Sequence, residues 1–312
     1  MPARYVDSVL PSLKAWRQEG HATALVTLFA SDGSAPRPMG SQMAIADDGR
    51  AVGSITGGCA EAAIVAEAQQ RIARRANGAV RYGAGSPYID IRLPCGSGID
   101  VWFDTTFPDA DLDALLTARA ERRTASLIID PQTGVGRACA GVPADVPAAA
   151  YLRRYDPVLR LVLVGKGPIL PLLAQLAHAM DFEVHAFSSE PETLELAAPH
   201  AALVAHLATP VSFGDPGFDE HTAFVSLFHE HEWEPPILDL ALRSNCFYLG
   251  ALGSQRTQAA RVQTLTEQGL SQAHIGRLHA PVGLQLGGKN PPEIALSILA
   301  EIVQVHHRRG VR

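Results

Sequence analysis

The chain has 312 residues, 47% of them hydrophobic and 19% charged, which is enough for two ordinary cores and so for two domains. A formal net charge of −6 argues against a nucleic-acid partner held by bulk charge. Cys59, Cys95, Cys139 and Cys246 form no C-x-x-C pair, which excludes a zinc finger and a dense disulfide framework. No charged-then-apolar leader and no membrane-spanning apolar run is present, so a cytoplasmic protein is expected.

In chain order, a first helix is expected over Tyr5–Glu19, closed by Gly20, and Ala22–Ala30 reads as a buried strand. Ser31–Gly40 is loop by composition. Its Arg37 stands between Pro36 and Pro38, and one arginine in a stiff loop suits a phosphate or carboxylate; a surface arginine is the plainer alternative. Gln42–Ala46 and Ala51–Ile55 flank Asp47-Asp48-Gly49, a hairpin signal. Gly53-Ser54-Ile55-Thr56-Gly57-Gly58-Cys59-Ala60-Glu61 follows, and apolar residues at helical spacing then predict a helix over Ala60–Ala76 with Gly78 as its cap. A helix start offers unpaired N–H groups and partial positive charge, and glycines let a ligand approach closely. The turn is therefore expected to receive an anion, phosphate first. Cys59 stands where a thiol tends to acidify, and a thiolate is both nucleophile and soft-metal ligand. A small cysteine packed in a tight turn is the alternative.

Short strands are expected over Val80–Tyr82, Ile89–Leu93 and Ile99–Asp104. Between the last two, Pro94-Cys95-Gly96-Ser97-Gly98 repeats the pairing of a thiol with glycines. A helix over Ala110–Arg122 and a strand over Ser126–Asp130 come next. The proline-bearing stretch from Ala140 predicts a linker over 141–157 between domains at 1–140 and 158–312.

The second half opens on the apolar strand Arg160–Val164, a Gly165-Lys166-Gly167 turn, a helix to about Met180 and a strand over Glu183–Phe187. This is the start of a βαβ unit of the dinucleotide type, although Leu170 takes the third glycine's place and Glu190 alone supplies an acid after the second strand. A strand over Phe224–Phe228 ends in His229-Glu230-His231-Glu232. Those histidines are candidates for metal binding or acid–base work, with solvated loop histidines as the alternative. Cys246–Leu249 reads as a strand leading through Gly253 to Ser254, a helix N-cap. Ile294, Ile298, Ile302 and Val305 share one face of a closing helix, an apolar surface suited to a homodimer.

Gly33–Gly40, Gly53–Glu61 and Cys95–Gly98 resemble the N-terminal domain of the XdhC/CoxI family of xanthine dehydrogenase accessory proteins. Tyr248–Arg256, Pro281–Leu284 and Pro292–Glu301 resemble that family's Rossmann-like C-terminal domain. The resemblance implies an α/β protein, with an N-terminal mixed-sheet domain followed by a doubly wound parallel-sheet domain. It also implies a maturation factor rather than an enzyme. Such a factor binds and protects molybdenum cofactor (molybdopterin) and delivers it to an apo molybdenum hydroxylase of the xanthine dehydrogenase type, with a cysteine desulfurase as a further partner. Carried onto this chain, Gly57, Gly58, Cys59, Glu61, Cys95 and Gly96 contact the cofactor. Cys59 and Cys95 hold its metal and Arg37 its phosphate. Gly165, Gly167, His229, Gly253 and Ser254 complete the binding set. Pro168, Leu170 and Ser188–Ser189 depart from the family's second-domain pattern. An NAD(P)-dependent oxidoreductase built on Gly165-Lys166-Gly167, and a metal-dependent hydrolase built on His229 and His231, are the competing expectations.

Overall fold

The computed structural model describes residues 8–35, 37–86, 98–228 and 233–309. The chain divides into two compact units, one ending at Pro157 and the next beginning at Val158.

The first unit is built on an alternation of apolar strands with amphipathic helices. Its elements are α1 (Leu10–Gln18), β1 (Thr23–Asp32), β2 (Gln42–Ala46), β3 (Ala51–Gly53), α2 (Glu61–Arg74), β4 (Gly78–Gly83), β5 (Gly98–Asp104), α3 (Asp109–Ala120), β6 (Ala125–Asp130), β7 (Val135–Ala140) and β8 (Tyr151–Tyr155). β1 is buried along its first six residues, and it lies at the centre of a sheet ordered β3-β2-β1-β5-β4. Every pairing in this sheet is antiparallel. Ile64, Ala68 and Ile72 recur every four residues, so α2 buries one stripe against Ala24, Val26 and Ile45. The other face of the sheet carries Leu25, Ala44 and Trp102, which pack with Leu10 and Leu13 of α1 and Leu112 and Leu115 of α3. β7, β6 and β8 make a second antiparallel sheet.

The registers fix which loops share an end of the first sheet. Thr27 pairs with Gln42, Met43 with Gly53, Asp32 with Gly98, and Gly83 with Gly98. The end of β1, the start of β2, the end of β3, the end of β4 and the start of β5 therefore lie together. The 33–41 loop, which holds Arg37, and the Ser54–Ala60 turn both leave from that end. Arg81 fastens it by pairing with Asp32 and, at 2.9 Å, with Asp100.

Two local expectations change. Gly78 opens β4 instead of capping α2; the helix stops at Arg74 because Arg75 turns left-handed (φ 51°) and returns its N–H to Arg71 and Ile72. Residues 151–155, inside the stretch expected as a linker, pair with β6 as β8, because Tyr151 and Tyr155 have apolar neighbours to cover. The strand expected over Ile89–Leu93 lies outside the described residues.

The second unit is a doubly wound α/β sheet, as expected. It runs β9 (Arg160–Gly165), α4 (Ile169–Ala179), β10 (Glu183–Ser188), α5 (Pro191–Ala197), β11 (Leu203–His206), β12 (Thr222–Leu227), α6 (Glu234–Arg243), β13 (Tyr248–Ala251), α7 (Gln255–Glu267), α8 (Gln272–Ile275), β14 (Leu278–His279) and α9 (Pro291–Arg309). The six strands are parallel in the order β11-β10-β9-β12-β13-β14. Strands buried on both faces read as continuous apolar runs, and β9 and β12 are fully buried. α4 and α9 cover one face and α6, α7 and α8 the other. The strand order reverses between β9 and β12, so the crevice of such a sheet opens beyond their C-terminal ends. No described helix is long and apolar enough to cross a membrane.

Candidate functional site

The turn between β3 and α2 is organised by one carboxylate. Glu61 Oε1 accepts hydrogen bonds from the Ser54 hydroxyl (2.7 Å) and the N–H groups of Ile55 (3.1 Å) and Thr56 (2.8 Å). Its Oε2 accepts from the Thr56 hydroxyl (2.5 Å) and the Gly58 N–H (2.7 Å). The Ser54 and Thr56 oxygens then accept from the N–H groups of Gly57 (3.0 Å) and Ala60 (2.8 Å). The helix start does receive an anion, but that anion is Glu61 itself, and the turn amides of Ile55, Thr56, Gly57, Gly58 and Ala60 are already in use. Burial opposes ionisation of Glu61; the bonds from Thr56 and Ser54 outweigh it and hold the carboxyl at about 2.

The braced turn pushes Gly57, Gly58 and Cys59 into solvent, between buried Thr56 and buried Ala60. Gly57 has φ 74° and Gly58 φ 113°, and a Cβ on either would meet nothing within 4 Å. The requirement for glycine here is conformational, and the space above the backbone is open to a ligand. Gly58→Ala is expected to cost about 1–2 kcal/mol in thermal unfolding through backbone strain alone.

Cys59 is exposed, whereas Cys246 is buried and burial pushes its thiol up to about 12. A short iodoacetamide pulse at neutral pH, read by mass spectrometry, is expected to label Cys59 and to leave Cys246 unlabelled until the chain is unfolded. Arg37 is half-buried in the 33–41 loop at the same end of the sheet. Cys95, Gly96, His229 and His231 lie outside the described residues.

In the second unit, β9 leads into the Gly165-Lys166-Gly167 turn. Glu190, late for a ribose-binding acid, is carried back by the start of α5. Its Oε2 accepts from the Gly167 N–H (3.2 Å) and from the Thr193 hydroxyl (2.9 Å). Ser254 caps α7 as expected, accepting from the Thr257 N–H at 3.1 Å, with Gly253 just before it. Two polar clusters were missed. Glu234 and Arg261, both buried, pair through Nε to Oε2 (2.8 Å) and Nη2 to Oε1 (3.0 Å), and the Ser226 hydroxyl donates to Glu234 Oε1 at 2.7 Å. Glu301 accepts from Tyr248 (2.5 Å) and from the Gly283 N–H (2.8 Å), with His279 Nδ1 at 3.3 Å. Burial opposes ionisation of Glu301 too, but His279 and Tyr248 outweigh it and hold the group at about 2. The signal for the first cluster was an acid beside Pro235-Pro236 at a helix start. The second joined residues too distant in sequence for any local pattern.

The model of the XdhC and CoxI family matches residues 16–83, and that of the XdhC Rossmann domain matches residues 161–302. A relative named molybdenum cofactor insertion chaperone PaoD, from Escherichia coli (strain K12), is 33% identical over 92% of this chain and 84% of its own length. The chain belongs to the XdhC and CoxI family. The family match to the first unit contains the whole Glu61-braced turn, and the match to the second runs from β9 into α9. A further relative in this family comparison, the uncharacterized protein YqeB of the same organism, is 28% identical over 90% of this chain but only 43% of its own length. A crystal structure described as a xanthine dehydrogenase from Bacillus halodurans superimposes with a TM-score of 0.76, covering 96% of each chain at 20% identity, which shows a common fold.

Proposed function

We propose that this chain binds molybdenum cofactor as cargo at the Gly57-Gly58-Cys59 turn and hands it to an apo molybdenum hydroxylase of the xanthine dehydrogenase type. The observation that carries this reading is the exposed thiol of Cys59, held out by a turn that Glu61 braces from within. The site suits the cargo in two respects. A thiolate is a soft donor for a metal that accepts sulfur. Beside it, the backbone of Gly57 and Gly58 is bare, and a flat pterin can lie against it. Glu61 holds the turn rigid, so that Cys59 meets the cargo without an ordering cost. The PaoD name supports the transfer step. Cys95 and Gly96 join the proposed set through their motif, with Arg37 as a contact to the phosphate. A cysteine desulfurase is the proposed source of the cargo's sulfur, and the apolar stripe of α9 a proposed homodimer surface. On this reading the chain is an accessory factor rather than an enzyme.

Cys59→Ala is the direct test. Isolated cofactor is mixed with wild type or variant, gel-filtered, oxidised and read by pterin fluorescence. The variant is expected to retain several-fold less cofactor at unchanged thermal stability, since an exposed side chain is removed. Equal retention by the variant would take Cys59 out of the site.

A second reading has one observation behind it. The Glu190 carboxylate at the Gly167 amide stands at the lip of a dinucleotide-type turn, where a ribose would bind. It requires saturable NAD(P) binding in calorimetry that Glu190→Ala weakens, and a flat titration of the wild type removes it.

A further inference from the structure

β8 places a cation where no sequence motif points to one. Tyr151, Arg153 and Tyr155 alternate along the strand and so share one face. That face is fixed against the start of β2, because the Tyr155 hydroxyl donates to Gln42 Oε1 (2.8 Å) and Gln42 Nε2 donates to the Thr27 hydroxyl (2.9 Å). Gly40 (φ 83°), two residues before that segment, lies near the end of the 33–41 loop. A Cβ on Gly40 would come within 2.7 Å of the Tyr151 hydroxyl oxygen and 3.1 Å of Arg153 Nη1. The loop thus comes down directly onto these two side chains.

Arg153 is half-buried, and its Nε is buried without a hydrogen-bond acceptor. Among the described residues no carboxylate pairs with its guanidinium, which stacks over the Tyr155 ring at 4.7 Å. Its chain neighbour Arg154, in contrast, pairs with Asp156 at 2.6 Å. A partly desolvated guanidinium without a counter-charge is costly unless an anion completes it. The Tyr151 phenol beside it is kept protonated, since burial pushes it up and outweighs the opposing pull of Arg153. It therefore brings a neutral O–H donor to the same place.

We infer that Arg153 and Tyr151, on β8 beneath Gly40, form an oxyanion receptor that takes a phosphate monoester. That the ester is the phosphate of the pterin cargo rests on the function proposed above. This assignment also resolves a difficulty at the helix start. Glu61 takes the turn amides of Ile55, Thr56 and Gly58, and Arg153 and Tyr151 would join Arg37 as donors to the cargo's phosphate. The 33–41 loop leaves from the same end of the sheet as the Cys59 turn. A guanidinium offers two parallel N–H groups to a tetrahedral oxyanion, which an ammonium cannot match.

The test uses the full chain and begins with inorganic phosphate, independently of the cargo. Phosphate is expected to raise the melting temperature of wild type above a chloride control of equal ionic strength. R153Q is expected to lose that response, R153K to keep part of it and Y151F to weaken it. Without phosphate, R153Q is expected to melt close to wild type, because the lost stack on Tyr155 is offset by removal of an uncompensated guanidinium and no ion pair is broken; an arginine with a purely structural role would melt clearly lower. An equal phosphate response in wild type and R153Q, or none in wild type, would overturn the receptor. The cofactor is then compared before and after phosphatase treatment. Wild type is expected to bind the phosphorylated form at least roughly tenfold more tightly, and R153Q to make no distinction. If wild type responds to phosphate yet retains no cofactor, the receptor stands and the cargo reading fails.

Discussion

Glu61→Ala is expected to destabilise the first unit by about 2–4 kcal/mol and to abolish retention of the cofactor. The substitution leaves the N–H groups of Ile55, Thr56 and Gly58 and the hydroxyls of Ser54 and Thr56 without the acceptor that gathers them. Each lost bond to a charged group is worth more than a neutral one, and partial solvent access lets water recover some of the loss. Glu61→Gln tests the charge separately. The amide keeps the volume but turns an NH2 toward groups that are themselves donors, so it is expected to recover less than half of the loss. The pH dependence has a definite sign. The folded carboxyl lies at about 2, below its ordinary 4.5, so its stabilisation is fully present above 4.5 and is lost as pH falls from there through 2. Wild type is expected to lose on the order of 2 kcal/mol of stability across that window from this group, and Glu61→Gln to lack that component. Urea unfolding followed from pH 6 to pH 2 measures both.

The second large effect belongs to the Rossmann-like unit. Arg261→Ala or Glu234→Ala is expected to cost about 3–5 kcal/mol, because either change strands a buried charge. Arg261 is further tied by donating to the Leu252 carbonyl at 2.8 Å, and Glu234 is tied to β12 through Ser226. The pair therefore fixes the start of α6 to the middle of α7, beside the C-terminal ends of β12 and β13. Replacing both partners, with Glu234→Leu and Arg261→Met, is expected to cost less than either single change, since no charge is left alone. A double-mutant cycle by urea denaturation reads the coupling. Additive single effects would show that the pair contributes no coupling of its own.

The strands and helices legible in the sequence were those whose burial has a simple period. β9 and β12 are buried along their whole length around the apolar runs Leu161–Val164 and Ala223–Val225, α2 repeats Ile64, Ala68 and Ile72, and Asp47-Asp48-Gly49 turns a hairpin. Ser254 announced the start of α7. β8 was hidden because its residues Tyr-Leu-Arg-Arg-Tyr carry charge and follow a proline-rich stretch; only pairing with β6 makes them a strand. The glycine turn was legible as special, and its wiring was not. A carboxylate at a helix start reads equally well as a complement to the dipole and as a ligand contact, and only geometry shows that Glu61 folds back onto six donors. The Glu234–Arg261 pair, 27 residues apart, is likewise a product of tertiary structure.

Cargo binding by this chain is open to direct measurement. The most direct measurement mixes the pure protein with isolated cofactor, gel-filters it and determines pterin and molybdenum in the protein peak, before and after adding an apo molybdenum hydroxylase. Co-elution near one cofactor per chain is expected, with transfer to the apoenzyme and gain of its activity. A folded protein that emerges free of pterin and molybdenum would contradict it.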